Sequence, residues 1–271
     1  MDLAELTEQY NAYIFTQKKN LGSLSMDNIP FEIEPIEAMS PKNASWYEKE
    51  IGDLNYRVFG PMGLGSKAWV DIHFGGMAGA TVGLKKKNGP VISMARFVGH
   101  IDTSKLQLWT LMVSPGHQSR GIGKATLALV CALNRNKKEI SYITQIEDDA
   151  ILLYLKMGLE NPVKLIGIGF YHSQMPNSIG LETKIPSDPW KTFFSDREQK
   201  KIENAKLLDD IDNLKEAKNP ILISPKSKKI NELGDALAEG GRYEIIEWFS
   251  QSSARKLFGI EEPLLAIKRV L

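Results

Sequence analysis

Cysteine is almost missing from this chain of 271 residues. Only Cys131 is present, so no intrachain disulfide can form, and a reducing compartment suits the protein. Histidine is scarce too, and none of the four histidines stands at metal-ligand spacing, so no metal is expected. No apolar run approaches the roughly 18 residues of a membrane-spanning helix. The first residues carry Asp2 and Glu5 and lack the basic-then-apolar order of a signal peptide, so a soluble, cytoplasmic protein is expected. A surplus of either charge is also lacking. Thirty-four Lys and Arg face 33 Asp and Glu, for a net charge of +1, which removes the bulk electrostatic drive toward nucleic acid. Neither a membrane nor a nucleic acid is expected as a partner.

What is present is material for a core. Hydrophobic residues make up 42% of a chain longer than one small domain needs. Cys131 falls inside an apolar helical stretch and reads as core rather than nucleophile. The most informative segment is Val113-Ser114-Pro115-Gly116-His117-Gln118-Ser119-Arg120-Gly121-Ile122-Gly123-Lys124-Ala125. An apolar stretch from Leu106 to Val113 reads as a buried strand before it. Ile122, Thr126, Leu129, Val130 and Leu133 after it are spaced as one face of a helix. Strand, glycine turn and helix start make a phosphate cradle, because glycine admits close backbone approach and unpaired helix-start amides attract anions. Gly121 is not followed by Lys and Ser or Thr, which excludes a Walker loop. Thr126 stands where a dinucleotide fingerprint needs its third small residue.

Gln118-Ser119-Arg120-Gly121-Ile122-Gly123 instead resembles the Q/R-x-x-G-x-G/A loop of the GNAT acetyltransferase superfamily. Ala150-Ile151-Leu152-Leu153-Tyr154-Leu155-Lys156-Met157-Gly158-Leu159 is similar to that family's A-x-x-L-Y-x-K-x-G-F segment. It follows after one helix and one strand, Ser141 to Ile146. The resemblance covers residues 29–186. It implies an α/β fold with a mixed, mostly antiparallel sheet, a splayed central strand pair and flanking helices. It further implies acetyl-CoA as cofactor and direct acetyl transfer to an amine-bearing acceptor, a small molecule or a protein. Leu111, Val113, Gln118, Ser119, Arg120, Gly121, Ile122, Gly123, Lys124 and Tyr154 would then bind the cofactor. The Val113 N–H would serve the thioester carbonyl and Tyr154 would be the general acid. On its residues alone, Tyr154 also reads as an aromatic on an apolar helix face. Gly158 is expected to cap that helix in the left-handed conformation.

Two positions depart from the family pattern. Gln107 stands where many relatives carry a Glu base, and Gln cannot take a proton. Glu147 stands where many carry Asn. The base is left among His100, Asp102, His172 and a water chain. These departures keep open a non-catalytic acyl-CoA-binding module, and a longer acyl donor remains a further alternative.

The rest of the chain is read for organisation. Leu3, Leu6, Tyr10 and Ile14 suggest a helical extension over 1–28, and Phe31 to Ile36 a first core strand followed by a helix from Pro41. Trp69–Phe74 and Val91–Val98 read as strands, Gly75–Gly79 as an interrupting glycine run, and Lys85–Gly89 as a hairpin turn. Val163–Tyr171 and Leu181–Ile185 read as an antiparallel pair. Over 190–271, segments 196–218, 229–239 and 243–257 suggest a helical domain able to support a homodimer. Pro225–Lys229 reads as a solvated basic loop.

Overall fold

The structure is a computed structural model describing residues 1–38, 41–62, 79–99, 104–145, 150–158, 162–166, 178–203, 206–207, 219–224, 233, 237 and 241–270. The readings at Trp69–Phe74, Gly75–Ala78, His100, Asp102, Glu147, Gly167–Tyr171, His172 and Pro225–Lys229 lie outside those residues. So does nearly all of 229–239 and most of 204–218. The chain divides into two compact units, Met1–Ile140 with Ile185–Ser195, and Ser141–Lys184 with Asp196–Leu271.

The first unit starts with helix α1 (Leu3–Gln9), closed by a capping box. Asp2 accepts the Glu5 N–H at 2.9 Å and Glu5 accepts the Asp2 N–H at 3.0 Å. The helix stops at Tyr10, where strand β1 (Tyr10–Thr16) begins, so Tyr10 and Ile14 do not continue the expected helical stripe. After the short α2 (Lys18–Leu21) comes β2 (Ile33–Glu37), parallel to β1. The other side of β1 pairs antiparallel with β3 (Gly79–Lys86). Flanked on both edges, β1 is apolar on both faces. Such a strand shows no alternation and is indistinguishable from a buried helix by period alone. Strands β4 (Ser93–Gly99) and β5 (Lys105–Val113) follow antiparallel, giving the mixed order β2-β1-β3-β4-β5.

Helices cover both faces of this sheet. The long α3 (Pro41–Phe59) buries Tyr47, Ile51 and Leu54, spaced four and three apart, against Tyr13, Phe15, Met94 and Met112. Phe15 and Tyr47 stack at 4.2 Å. Each buried side chain of this size contributes about 1.5–3 kcal/mol. The opposite face takes α4 (Ile122–Leu133), buried along almost its whole length, Cys131 included. A chain of hydroxyls pins this helix to the sheet. The Leu84 N–H donates to Ser93 Oγ (3.1 Å), Ser93 Oγ lies 2.6 Å from Thr126 Oγ1, and Thr126 donates to the Ile122 carbonyl (2.8 Å). The first turn of α4 is thereby fixed above β4. Helix α6 (Pro189–Phe194) completes the unit, with the Trp190 indole donating to Asn28 O at 3.0 Å.

In the second unit, strand β6 (Glu139–Gln145), which belongs to it from Ser141 on, precedes α5 (Ile151–Met157), β7 (Val163–Ile166) and β8 (Ser178–Lys184). β7 and β8 are antiparallel, as expected. Beyond residue 190 the expected helical character is only partly present. Short strands β9 (Lys206–Leu207) and β10 (Ile221–Ile223) precede β11 (Tyr243–Phe249), α7 (Gln251–Phe258) and β12 (Leu264–Arg269). The unit's strand order is β6-β8-β7-β11-β12-β10-β9. The segment read as a helix over 243–257 is therefore a strand in its first half. Residues 196–203 are not helical either. Glu247, fully buried after a bulge in β11, accepts from Arg197 Nη2 (2.8 and 2.9 Å) and from the Lys200 N–H (2.9 Å). That carboxylate takes donors from a stretch whose charge and spacing otherwise suit a helix.

Candidate functional site

At the end of β5 the chain turns through a 3-10 segment, Pro115–His117, and Gln118 is extended. Ser119 (φ 60°) and Gly121 (φ 86°) then both enter the left-handed region, and Gly121 is the N-cap of α4. For Ser119 this costs about 1 kcal/mol. Alternating backbone hand in this way turns successive amides toward one side, the arrangement of an anion nest. Among the described residues, backbone hydrogen bonds stop at Gln118 N–Pro115 O (3.4 Å) and resume at Ala125 N–Gly121 O (3.0 Å). The amides from Ser119 to Lys124 between them donate to no described protein acceptor. A helix of this length adds its positive end to the same spot.

Cationic groups act on His117 in this loop. Burial first, then the charges of Lys86, Arg120 and Arg57, holds the His117 imidazole below its ordinary value. Arg57, on α3, reaches the strand end by donating to Ser114 Oγ (3.3 Å) and to Val91 O (2.9 Å). The sequence singles out Arg120 and Lys124. It does not link Arg57 and Lys86 to them, because three separate segments converge here and no local spacing signals it.

The strand edge matters equally. The Ser114 N–H donates to Ile92 O at 2.8 Å, toward β4. Successive amides of a strand face opposite edges, so the N–H groups of Val113 and Leu111 point away from β4. Between the pairs Arg96–Thr110 and Phe97–Leu108, β5 carries one extra residue, Trp109, a bulge of the kind found beside active sites. Gln107 lies on β5 opposite Val98, half-buried.

Leu111, Val113 and Gln118 through Lys124 thus lie together in the first unit, while Tyr154 belongs to the second. Tyr154 sits on α5, 5% exposed, its ring stacked on Tyr142 of β6 with centroids 3.8 Å apart. Gly158 does not adopt the left-handed cap expected of it. Its φ is −76°, and its N–H bonds to Leu155 O at 3.1 Å, so a tightened last turn ends the helix.

A bulged strand, a loop with two left-handed residues and a helix start, on a mixed α/β sheet, place main-chain amides together where a phosphorylated ligand could be held. Residues 50–159 match the model of the acetyltransferase (GNAT) family, and the chain carries a domain of that superfamily. Acyl transfer, with an acyl-coenzyme A as the class of donor, is the corresponding general activity. Among solved structures, the chain is similar to the ribosomal-protein-S18-alanine N-acetyltransferase of Escherichia coli. The two share 15% identity over 54% of this chain and 90% of that one, with a TM-score of 0.42. It is also similar to the diaminobutyrate acetyltransferase of Paenibacillus lautus, with 15% identity over 57% and 94% of the chains and a TM-score of 0.43. A search of curated proteins finds no match.

Proposed function

We propose that the protein is an N-acetyltransferase that moves an acetyl group from acetyl-CoA to an amine by direct transfer. The observation that carries this reading is the run of amides from Ser119 to Lys124 at the start of α4, which donate to no acceptor among the described residues and follow His117, on which Lys86, Arg120 and Arg57 act. That donor set fits a pyrophosphate, and Gln118 to Lys124 would hold it. Bound acetyl-CoA supplies the acetyl group as an activated thioester. The Val113 N–H, aimed away from β4, would donate to the acyl oxygen as negative charge grows there. One such fixed donor lowers a barrier by roughly 3–4 kcal/mol. Leu111, with the same amide direction, would pair with the peptide-like arm of the cofactor.

Tyr154 would donate its phenolic proton to the departing sulfur. A phenol near pKa ~10 can protonate a thiolate whose acid is near ~8.5 when the two are well placed. Gln107 cannot remove the amine proton, so the acceptor is deprotonated by water or by another side chain.

Release of free thiol from acetyl-CoA, followed across a panel of amines, tests the reading. Amine-dependent release is expected. Binding of coenzyme A without release for any amine would favour a binding module, the reading Gln107 supports.

A further inference from the structure

Arg96 is a fully buried arginine whose Nε, Nη1 and Nη2 all lack a hydrogen-bond partner among the described residues. It stands on β4, in register between Thr81 of β3 and Thr110 of β5, at the level of the Trp109 bulge. Thr81 Oγ1 is 3.0 Å from the Tyr47 hydroxyl, which places this row on the α3 face of the sheet. Room for the guanidinium exists because residue 79 is glycine. A Cβ there would lie 2.9 Å from Arg96 Nη1 and 2.4 Å from Phe97 O.

Among the described residues no hydrogen bond relieves the charge. Burial lowers the guanidinium from its ordinary value, yet arginine stays protonated in proteins. Among the described residues the group acting on it electrostatically is Tyr47, a phenol that burial pushes up and keeps neutral. Proteins retain buried charges when these are paired, and a guanidinium's planar fork matches a carboxylate at two points. One cation among neutral hydroxyls balances one negative charge, which favours a carboxylate over a phosphate dianion. Arg96 and Thr110 lie three residues along their strands from the Ser93–Val113 pair, roughly 10 Å away, a span a small amino acid can bridge.

We propose that Arg96 binds the carboxylate of the acceptor, so that the amines acetylated here are carboxylate-bearing molecules of the amino-acid class. The inference rests on the acetyl-transfer reading for its chemistry, and its test separates the two. Full-length protein and the variants Arg96→Met and Arg96→Lys are compared in three measurements. The first is acetyl transfer to lysine against cadaverine, and to ornithine against putrescine. The second is calorimetric affinity for coenzyme A. The third is melting with added lysine, glutamate or inorganic phosphate.

The wild type is expected to prefer the carboxylate member of each pair by at least about 100-fold in kcat/KM. Arg96→Met erases the preference mainly through KM, and Arg96→Lys restores little of it, because an ammonium lacks the fork. Coenzyme A affinity stays within about twofold. Without ligand, Arg96→Met melts no lower than wild type, since an unpaired buried charge is gone. Lysine or glutamate raises the wild-type melting temperature and not that of Arg96→Met. Equal use of both members of each pair overturns the proposal, as does stabilisation by phosphate alone. A variant that melts several degrees lower yet keeps the preference overturns it as well. Failure of the wild type to bind coenzyme A would remove the acetyl-transfer reading, while the carboxylate-dependent melting shift would still report the ligand of Arg96.

Discussion

The side-chain amide of Gln118 donates to the carbonyl oxygen of Val113 at 3.3 Å. One bond thus ties the loop that offers the unpaired amides to the strand residue whose N–H faces away from β4. The bond is exposed, so its net worth is about 1 kcal/mol. Gln118→Ala is expected to weaken coenzyme A binding by about two- to tenfold while leaving the melting temperature nearly unchanged. Calorimetric titration of the variant checks this. Unchanged affinity would mean the loop holds its shape without that tie.

Charge and backbone act separately in the loop, and different substitutions read them. Arg120 is exposed and Lys124 half-buried, so Arg120→Glu and Lys124→Glu leave the fold intact and weaken coenzyme A binding, more strongly at low salt. Gly121 is a poorer probe. Its φ of 86° is unfavourable for any side chain, and a Cβ there would sit 3.1 Å from the Met1 carbonyl. Gly121→Ala is therefore expected to destabilise the protein by at least about 1 kcal/mol, a shift of a few degrees in melting. A Gly121 variant that loses binding without losing stability would contradict that account.

The strand–loop–helix unit was legible in the sequence because each part has a local cause. Glycine stands where φ is positive, and the apolar spacing after Ile122 matches a buried helix. Strand β1 was not legible, since pairing on both edges and burial on both faces leave no alternation to read. In β11 a bulge breaks the period between Ile245 and Glu247, and a distant partner, Arg197, makes a buried Glu tolerable. Arg96 is visible in sequence as a charge within an apolar strand. Only the packing shows that nothing in the described protein answers it.

Tyr154→Phe keeps the ring stack on Tyr142 and removes only the hydroxyl. The melting temperature is expected to hold while turnover falls by about 100-fold or more, the usual reach of a general acid. Coenzyme A affinity should change little. Turnover that is unaffected across pH would remove Tyr154 from the chemistry.

His117 gives the stability a pH dependence with a definite sign. Its folded value is lowered, chiefly by burial, so below pH about 6.5 the unfolded chain takes up a proton that the folded one refuses. Stability is constant with respect to this group above that pH and falls as the pH drops through the window beneath it. His117→Gln should flatten the melting-temperature profile there and leave it unchanged above pH 7.5. An identical slope in the variant would assign the dependence elsewhere.

Cys131 is buried within α4, and burial pushes its thiol up. A disulfide reagent should therefore leave the native protein unmodified and react with one thiol per chain in guanidinium chloride. Rapid reaction of the native protein would show that α4 opens readily.

The measurement that tests the central claim most directly is calorimetric titration of the full-length protein with acetyl-CoA, coenzyme A and ATP. Micromolar binding of both coenzyme A species, no binding of ATP, and loss of the first two in Arg120→Glu combined with Lys124→Glu is the predicted result. Folded wild-type protein that binds neither coenzyme A species would contradict the assignment of the Ser119–Lys124 amides as a cofactor cradle.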